Sequence, residues 1–504
     1  MKTNDVFPFD VRLSIEKELA PVNTLWTRAF YHQFRETRVP DSYYEYVRGE
    51  IDRNELARRH SAQACEADSR CLQFELGNSD ENEEVVTDSI NRATAEVDHW
   101  VLIGGPPCQA YSTIGRVKNQ SLQHYNPDTD IRFELYREYL KIIGNHWPSI
   151  FVMENVRGLL SASHRQESIF GRMITDLRKP AEALELDGIT ASDSHQYSLY
   201  AVATDASFLN EGDEAPCPTD FIVKSEEYGI PQARHRVIIL GVRDDIPAKP
   251  EPLSPGKSKV NACRVLNDLP RVRSGLSRED SPEGWIRAIK SIEEQQWWHQ
   301  VDQPVRVRMQ HVLESLTVPE ENRGDVRFLN SPSTCEYRPD WFNDDRLSGT
   351  LNHNARSHRV DDLWRYLFAA CFMEDSNHKF RISDFPPALR PRHRNIESAL
   401  VNGTFTDRFS VQPQNAPSRT VVSHIRKDGH YYIHYDATQC RSLTVREAAR
   451  LQTFPDNYLF EGSRTDQYGQ VGNAVPPLLS RQIAERVAIL LEEQEEHRDG
   501  QSVP

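Results

Sequence analysis

Paired cysteines are missing from this chain. Its eight cysteines, at 65, 71, 108, 217, 263, 335, 371 and 440, form no CxxC pair and no Cys/His ladder. Neither a zinc site nor a disulfide framework is indicated, and the thiols read as reduced. No run approaches the roughly 18 uninterrupted apolar residues of a membrane span. The first residues, MKTNDVFPFDVRLSIEKE, hold no apolar core after a basic start, so a secretory signal is not expected and a cytoplasmic setting is. There is no internal repeat and no low-complexity tract of any length. Most telling, no two of the 23 glycines are spaced G-x-G.

What is present reads as a globular enzyme. The 504 residues are 38% hydrophobic and 27% charged, enough for a catalytic domain and one further domain. The net charge of −15 argues weakly against nucleic-acid binding. Much of the acid lies in 80–84 and 492–496, whereas 390–394 and 419–427 are locally basic, which leaves room for a basic cleft.

Residues 10–16 alternate as a strand, and the stretch to Phe34 has helical spacing. HWVLIGG (99–105), SIFVMENV (149–156) and RHRVIILGV (234–242) are short Val/Ile runs. They are expected to be buried strands of a parallel sheet, alternating with helices such as 131–146. From about 245 prolines cluster and the pattern turns irregular until about 435, as an inserted second domain would. A helix then resumes over 442–454, with Thr444 as cap and Glu447 three residues on, and a last amphipathic helix is expected over 477–493.

Chemistry concentrates in three places. GGPPCQAYS (104–112) follows a strand, and its glycines and prolines make a rigid turn that presents Cys108 at the carboxyl end of the sheet. A thiol there is a candidate nucleophile, although a cysteine in a loop is as often a small buried hydrophobe. MENVR (153–157) puts Glu154 and Asn155 at the next strand end, where a lone glutamate would more often be a solvated surface residue. GIPQARHR (229–236) sets Gln232, Arg234 and Arg236 at alternate positions, on one side of a strand, to bind anions or to pair with acids.

In this order the three pieces resemble the DNA cytosine-5 methyltransferases, with their PCQ, ENV and QxRxR signatures. RSLTVREAARLQTFPD (441–456) and GNAVPP (472–477) resemble that family's ninth and tenth motifs. The resemblance covers about 10–242 and 436–495. It implies an α/β fold with an S-adenosylmethionine-dependent, Rossmann-like parallel sheet in residues 10–244 and 436–495, with a smaller target recognition domain inserted at 245–435. It also implies a reaction. Cys108 adds to carbon 6 of a flipped-out cytosine, Glu154 acts at N3, and Arg236 with Arg234 orients the base, while S-adenosylmethionine gives the methyl group. The cofactor residues it points to are Glu16, for the ribose hydroxyls, Asn473, and two with bland alternatives: Asp88, which reads equally as part of an acidic loop, and Leu135, which reads equally as helix core. No metal is implied.

The sequence departs from the family at one place. The glycine-rich loop after the family's first strand, FxGxGG, is absent, and the match starts at FDVRLSIEKE, which resembles the second strand. The missing strand is expected mid-sheet, so its loss should leave unpaired backbone and an incomplete cofactor pocket. A start codon placed too far downstream, a truncated gene and a separate polypeptide carrying the loop all remain open. The expected partners are double-stranded DNA, a restriction endonuclease encoded nearby and that separate polypeptide; no membrane is involved. Two other readings stand beside the main one: a catalytically inactive DNA-binding homologue, and a tRNA cytosine-5 methyltransferase.

Overall fold

The computed structural model describes residues 9–34, 37–77, 80–106, 131–164, 167–186, 195–209, 216–247, 249–374, 380–392, 396, 400 and 407–501. Its main sheet holds six strands: β3 (Val101–Gly104), β4 (Ile150–Val156), β5 (Tyr197–Ala201), β6 (Ser207–Phe208), β7 (Ile222–Lys224) and β8 (His235–Arg243). They lie in the order β3-β4-β8-β5-β6, with β7 also on β8. β3 and β4 are parallel, and β8 runs antiparallel to β4, β5 and β7. RHRVIILGV is therefore a buried strand but not a parallel one. It follows β7 through a short return, and a parallel neighbour would need a crossover of a dozen residues or more.

Strand alternation gives each face its core. Phe151 and Met153 of β4, Leu199 of β5 and Val237 and Ile239 of β8 point to one side. There they meet α1 (Ile131–His146) and α2 (Ile169–Arg178) through Leu140, Ile143, Phe170 and Ile174. Ile150, Val152, Ile238, Leu240 and Val242 point to the other side. There α3 (Pro477–Gln501) covers them with Leu478, Leu479, Ile483, Val487 and Leu490. The result is a helix–sheet–helix layering that buries β4 and β8 on both faces.

β1 (Ser14–Glu16) and β2 (Cys71–Gln73) form a separate parallel pair, in register from Ser14 opposite Cys71 to Glu16 opposite Gln73. Among the described residues the main sheet ends at β3 and does not join this pair. Of the exposed large apolar side chains, Ile103 on β3 (72%), Leu19 (57%) and Val11 (56%), the last two flanking β1, are the most exposed. Parallel strands are ordinarily covered on both faces, whereas Ile103 on β3 is left largely uncovered among the described residues.

The middle of the chain carries its own core, from Trp285 to Cys440. A further cluster joins Ala262, Leu266, Cys335 and Phe342 to Val421, Leu443, Ala448 and Tyr468, across the boundary expected at 435. It surrounds α4 (Val445–Leu451). The expected cap of α4 is present: Thr444 Oγ1 accepts from the Glu447 amide at 3.2 Å, and Glu447 Oε2 accepts from the Thr444 amide at 2.8 Å. No described helix is long and apolar enough to cross a membrane.

Candidate active site

β3 ends on Gly104, with Gly105 next, and both are closely hemmed in by what lies beside them. A Cβ on Gly104 would sit 2.4 Å from the Tyr139 ring, and one on Gly105 would sit 3.2 Å from both the Glu154 carbonyl and its Oε2. Gly104 is opposite Met153 in the parallel ladder, so the next residues of the two strands, Gly105 and Glu154, are neighbours. Asn155 is buried, its Nδ2 3.5 Å from the Pro106 carbonyl oxygen. The turn thus leaves β3 against Glu154 and Asn155. Cys108, the candidate nucleophile, follows Pro106 by two positions and lies outside the described residues.

β8 brings the guanidinium groups. Arg236 is opposite Val156 and Ile238 opposite Glu154, so Arg236 and Glu154 are diagonal partners on one face. Arg236 Nε lies 2.9 Å from Glu154 Oε1, and Arg234 Nη2 lies 4.0 Å from the same oxygen. Glu154 Oε1 is buried in this ion pair and takes no hydrogen bond of good geometry among the described residues. Two positive charges therefore face a carboxyl group placed to share a proton with a ring nitrogen.

Burial depresses both guanidinium pKa values. For Arg234 burial comes first and the Arg236 charge second, and together they bring it down to about 9. For Arg236 burial lowers the pKa and Glu154 opposes it. Arg234 remains charged at neutral pH.

Gln232, Arg234 and Arg236 were expected to share one side, yet their tasks differ. Gln232 turns inward to Gln452 and Leu451, and Arg234 Nη1 donates to the carbonyls of Val421 (2.8 Å) and Gly472 (3.3 Å). Only Arg236 comes within 3 Å of Glu154.

The four expected cofactor residues are placed as follows. Glu16 ends β1, and its Oε1 accepts from the Glu18 amide at 3.0 Å. Leu135 is half-buried on α1, and Asn473 is exposed as the last residue of α5 (Arg464–Asn473). Asp88 is exposed in the third turn of the helix Asp80–Thr94, not at a strand end. The acid just past β2 is Glu75, ion-paired with Lys17 beside Glu16. It was not singled out from the sequence, and the signal that could have found it is its place two residues after the Leu-Gln of a strand adjoining β1. His195, Asp244 and Asp245 gather at the far end of β8, roughly 25 Å from Arg236 along the strand, and take no part here.

An acid and a guanidinium at the ends of adjoining strands, beside a glycine-proline turn, define an α/β enzyme that does acid–base work where open sheets bind their ligands. The model of the C-5 cytosine-specific DNA methylases matches residues 63–180 and 220–488. The type II methyltransferase M.Bpa9945I of Bacillus paralicheniformis is 30% identical over 502 residues, which cover 95% of this chain and 94% of that protein. The type II methyltransferase M.AgeI of Thalassovita gelatinovora is 28% identical over 81% of this chain and 86% of its own length. The DNA (cytosine-5-)-methyltransferase M.ApeKI of Aeropyrum pernix is 25% identical over 79% and 82%. Among solved structures, a putative DNA modification methyltransferase encoded within an E. coli prophage aligns over 96% of this chain and 93% of its own, at 16% identity and a TM-score of 0.45.

The chain belongs to the C-5 cytosine-specific DNA methylase family. Its activity is the transfer of a methyl group from S-adenosylmethionine to carbon 5 of cytosine in DNA.

Proposed function

We propose that Cys108 is the nucleophile of this methyltransferase, that Glu154 serves N3 of the cytosine, and that Arg236 holds the base. The observation that carries the reading is the buried Glu154 oxygen, without a hydrogen bond, 2.9 Å from Arg236 and packed on the turn that leads to Cys108.

Cytosine is too electron-poor at carbon 5 to take a methyl group directly. The Cys108 thiolate adds to carbon 6 of a base flipped out of the duplex, and the electron pair moves through the ring towards N3. Glu154 stabilises that nitrogen by a proton or hydrogen bond, and Arg236 opposes the developing charge. Carbon 5 is then the nucleophile. S-adenosylmethionine, when bound, supplies an electrophilic methyl group at that atom. A base takes the carbon 5 proton, the carbon–hydrogen electrons re-form the double bond between carbons 5 and 6, N3 returns its proton to Glu154, and the carbon–sulfur pair leaves with Cys108 as the thiolate.

For the donor, the residues fit in part. Glu16 ends a parallel strand with one carboxylate oxygen free of the Glu18 bond, as a ribose diol requires, and Leu135 and Asn473 offer an apolar and an amide contact. No glycine-spaced turn accompanies them among the 504 residues. The open edge at Ile103 supports a further strand and its glycine loop being added there, from an upstream extension or a separate polypeptide. We assign residues 245–435 to reading the DNA sequence and place the enzyme in the cytoplasm. The type II relatives support pairing it with a cognate restriction endonuclease.

The test is methyl transfer from labelled S-adenosylmethionine to mixed-sequence DNA, comparing this chain, a form extended upstream in frame, and Cys108→Ala of each. Incorporation by either parent, reduced at least about a thousandfold in its Cys108→Ala form, upholds the assignment. DNA binding without incorporation by any form would replace it with the recognition-only reading.

A further inference from the structure

Beside Glu154 lies a fully buried amide network that the chemistry above does not use. Gln452, 0% exposed, follows α4, and its Nε2 donates to the carbonyls of Val471 (2.7 Å) and Ala474 (3.3 Å). Its Oε1 accepts from Gln232 Nε2 at 3.0 Å, and Gln232 Oε1 accepts from the Val421 amide at 2.7 Å. Arg234 completes the set through Val421 and Gly472. The carbonyls of residues 471, 472 and 474 are thus held by Gln452 and by Arg234, whose Nη2 lies 4.0 Å from Glu154 Oε1. Gly472 sits so close to the backbone of Val422 and Ser423 that a Cβ would come 2.3 Å from the Ser423 nitrogen. The turn has no freedom to slide, while Asn473 in its middle is exposed, without a hydrogen-bond partner among the described residues.

The carbonyls of Val471 and Gly472 lie in the last turn of α5 and need partners from outside the helix, yet between these capped groups and Ala474 the side chain of Asn473 is left exposed. We propose that Gln452 is a positioning residue for methyl transfer: with Gln232 and Arg234 it straps the turn 471–474, and Asn473 on it, at a fixed place relative to Glu154. The base side and the donor side of the reaction are then gauged by one buried network. The proposal rests on the assignment of Asn473 to the donor side.

Two variants of the full chain test it. Gln452→Met keeps the length and removes both donors and the acceptor. Gln452→Glu keeps an acceptor for Gln232 but turns carboxylate oxygen towards the Val471 and Ala474 carbonyls. Steady-state methyl transfer, binding of S-adenosylhomocysteine by calorimetry and hydrogen exchange are measured on each. The expected result is a donor KM and a S-adenosylhomocysteine Kd raised about tenfold or more, as loss of two buried hydrogen bonds implies. kcat at saturating donor and DNA affinity should stay within about threefold, and exchange should rise in peptides covering 471–479 but not in 445–451. A donor KM and Kd within twofold of the parent overturn the proposal. So does a loss of kcat, donor binding and DNA binding together in step with loss of folded protein, which is what a merely structural residue would give. If neither this chain nor its form extended upstream in frame binds S-adenosylhomocysteine, the donor-side reading of Asn473 fails, and unchanged exchange at 471–479 in the variants would sink the strap as well.

Discussion

Acid should unfold this protein through histidines that have no place for a second proton. His353 is fully buried, and its Nε2, 2.7 Å from the Pro270 carbonyl oxygen, must be the donor. Its Nδ1 is then an acceptor, 2.9 Å from the Thr444 hydroxyl, which itself accepts from the Glu447 amide and so gives its proton to the ring. His434 is equally enclosed: Nδ1 accepts from the Asp436 amide at 3.0 Å, and Nε2 lies 3.5 Å from Glu447 Oε1. Burial brings both pKa values down to about 4, with Glu447 opposing and Arg441 assisting; Arg446 also faces His353, and Asp436 faces His434. The unfolded pKa is about 6.5, so the unfolded chain takes these protons first, and stability is complete above that pH and drains as pH falls towards 4. At pH 5 each ring contributes a loss of about 2 kcal/mol, about 4 for the pair. His358, also lowered by burial, acts in the same direction. Glu447, held well below the usual carboxylate range against burial by Arg441 first and His434 next, acts only below about pH 4.3. Urea unfolding at pH 7.5 and pH 5.0 reads the difference. His353→Gln, which can still donate to Pro270 and accept from Thr444, should lose about 2 kcal/mol less than the parent between the two pH values. An equal loss in the variant would refute the reasoning.

Two further outcomes are expected away from the reacting atoms. Arg450→Met strands Asp456 and Asp268, which the buried guanidinium now holds at 2.6 to 3.1 Å, and should cost about 3–5 kcal/mol in urea unfolding; adding Asp456→Leu should recover part of that, and no recovery would count against a charge-based origin. Gly472→Ala collides with backbone, not with a flexible side-chain end, so soluble yield or donor affinity should fall at least about tenfold; a variant with normal yield and normal donor Kd would show that the turn can move after all.

Much of this was readable from spacing. The Val/Ile runs became β3, β4 and β8, the helix 131–146 was found with its bounds, and the Thr444–Glu447 cap is a local device that needs no tertiary knowledge. Strand direction was not readable: RHRVIILGV looks the same parallel or antiparallel, because burial on both faces erases the pattern that would tell them apart. At the site, residue types at strand ends pointed to Glu154 and Arg236, but nothing local says that Arg234 would turn towards residues 421 and 472 while Arg236, two positions on, faces the acid. Asp88 was placed by counting back from Cys108, and its position within the helix Asp80–Thr94 was not legible from that count; nor was that of Glu75, just past β2 and paired with Lys17. The task of Gln452 depends on contacts with residues 232 and 471, and no window of sequence contains them together.

The strap between Arg234, Val421 and Gly472 joins residues 187 and 238 positions apart, and Gln232 reaches Gln452 across 220. Loops of that length close late, after the more local contacts on either side have formed. Synthesis proceeds from the amino end, so the turn at 471–474 is among the last parts of the chain to be made. A ribosome-bound chain can therefore complete the sheet from β3 to β8 and fold much of the middle core while Glu154 still lacks the frame around it. A chain cut short before residue 472 lacks the strap and also α3, which covers one face of the sheet, so the site and the layer beneath it are completed together.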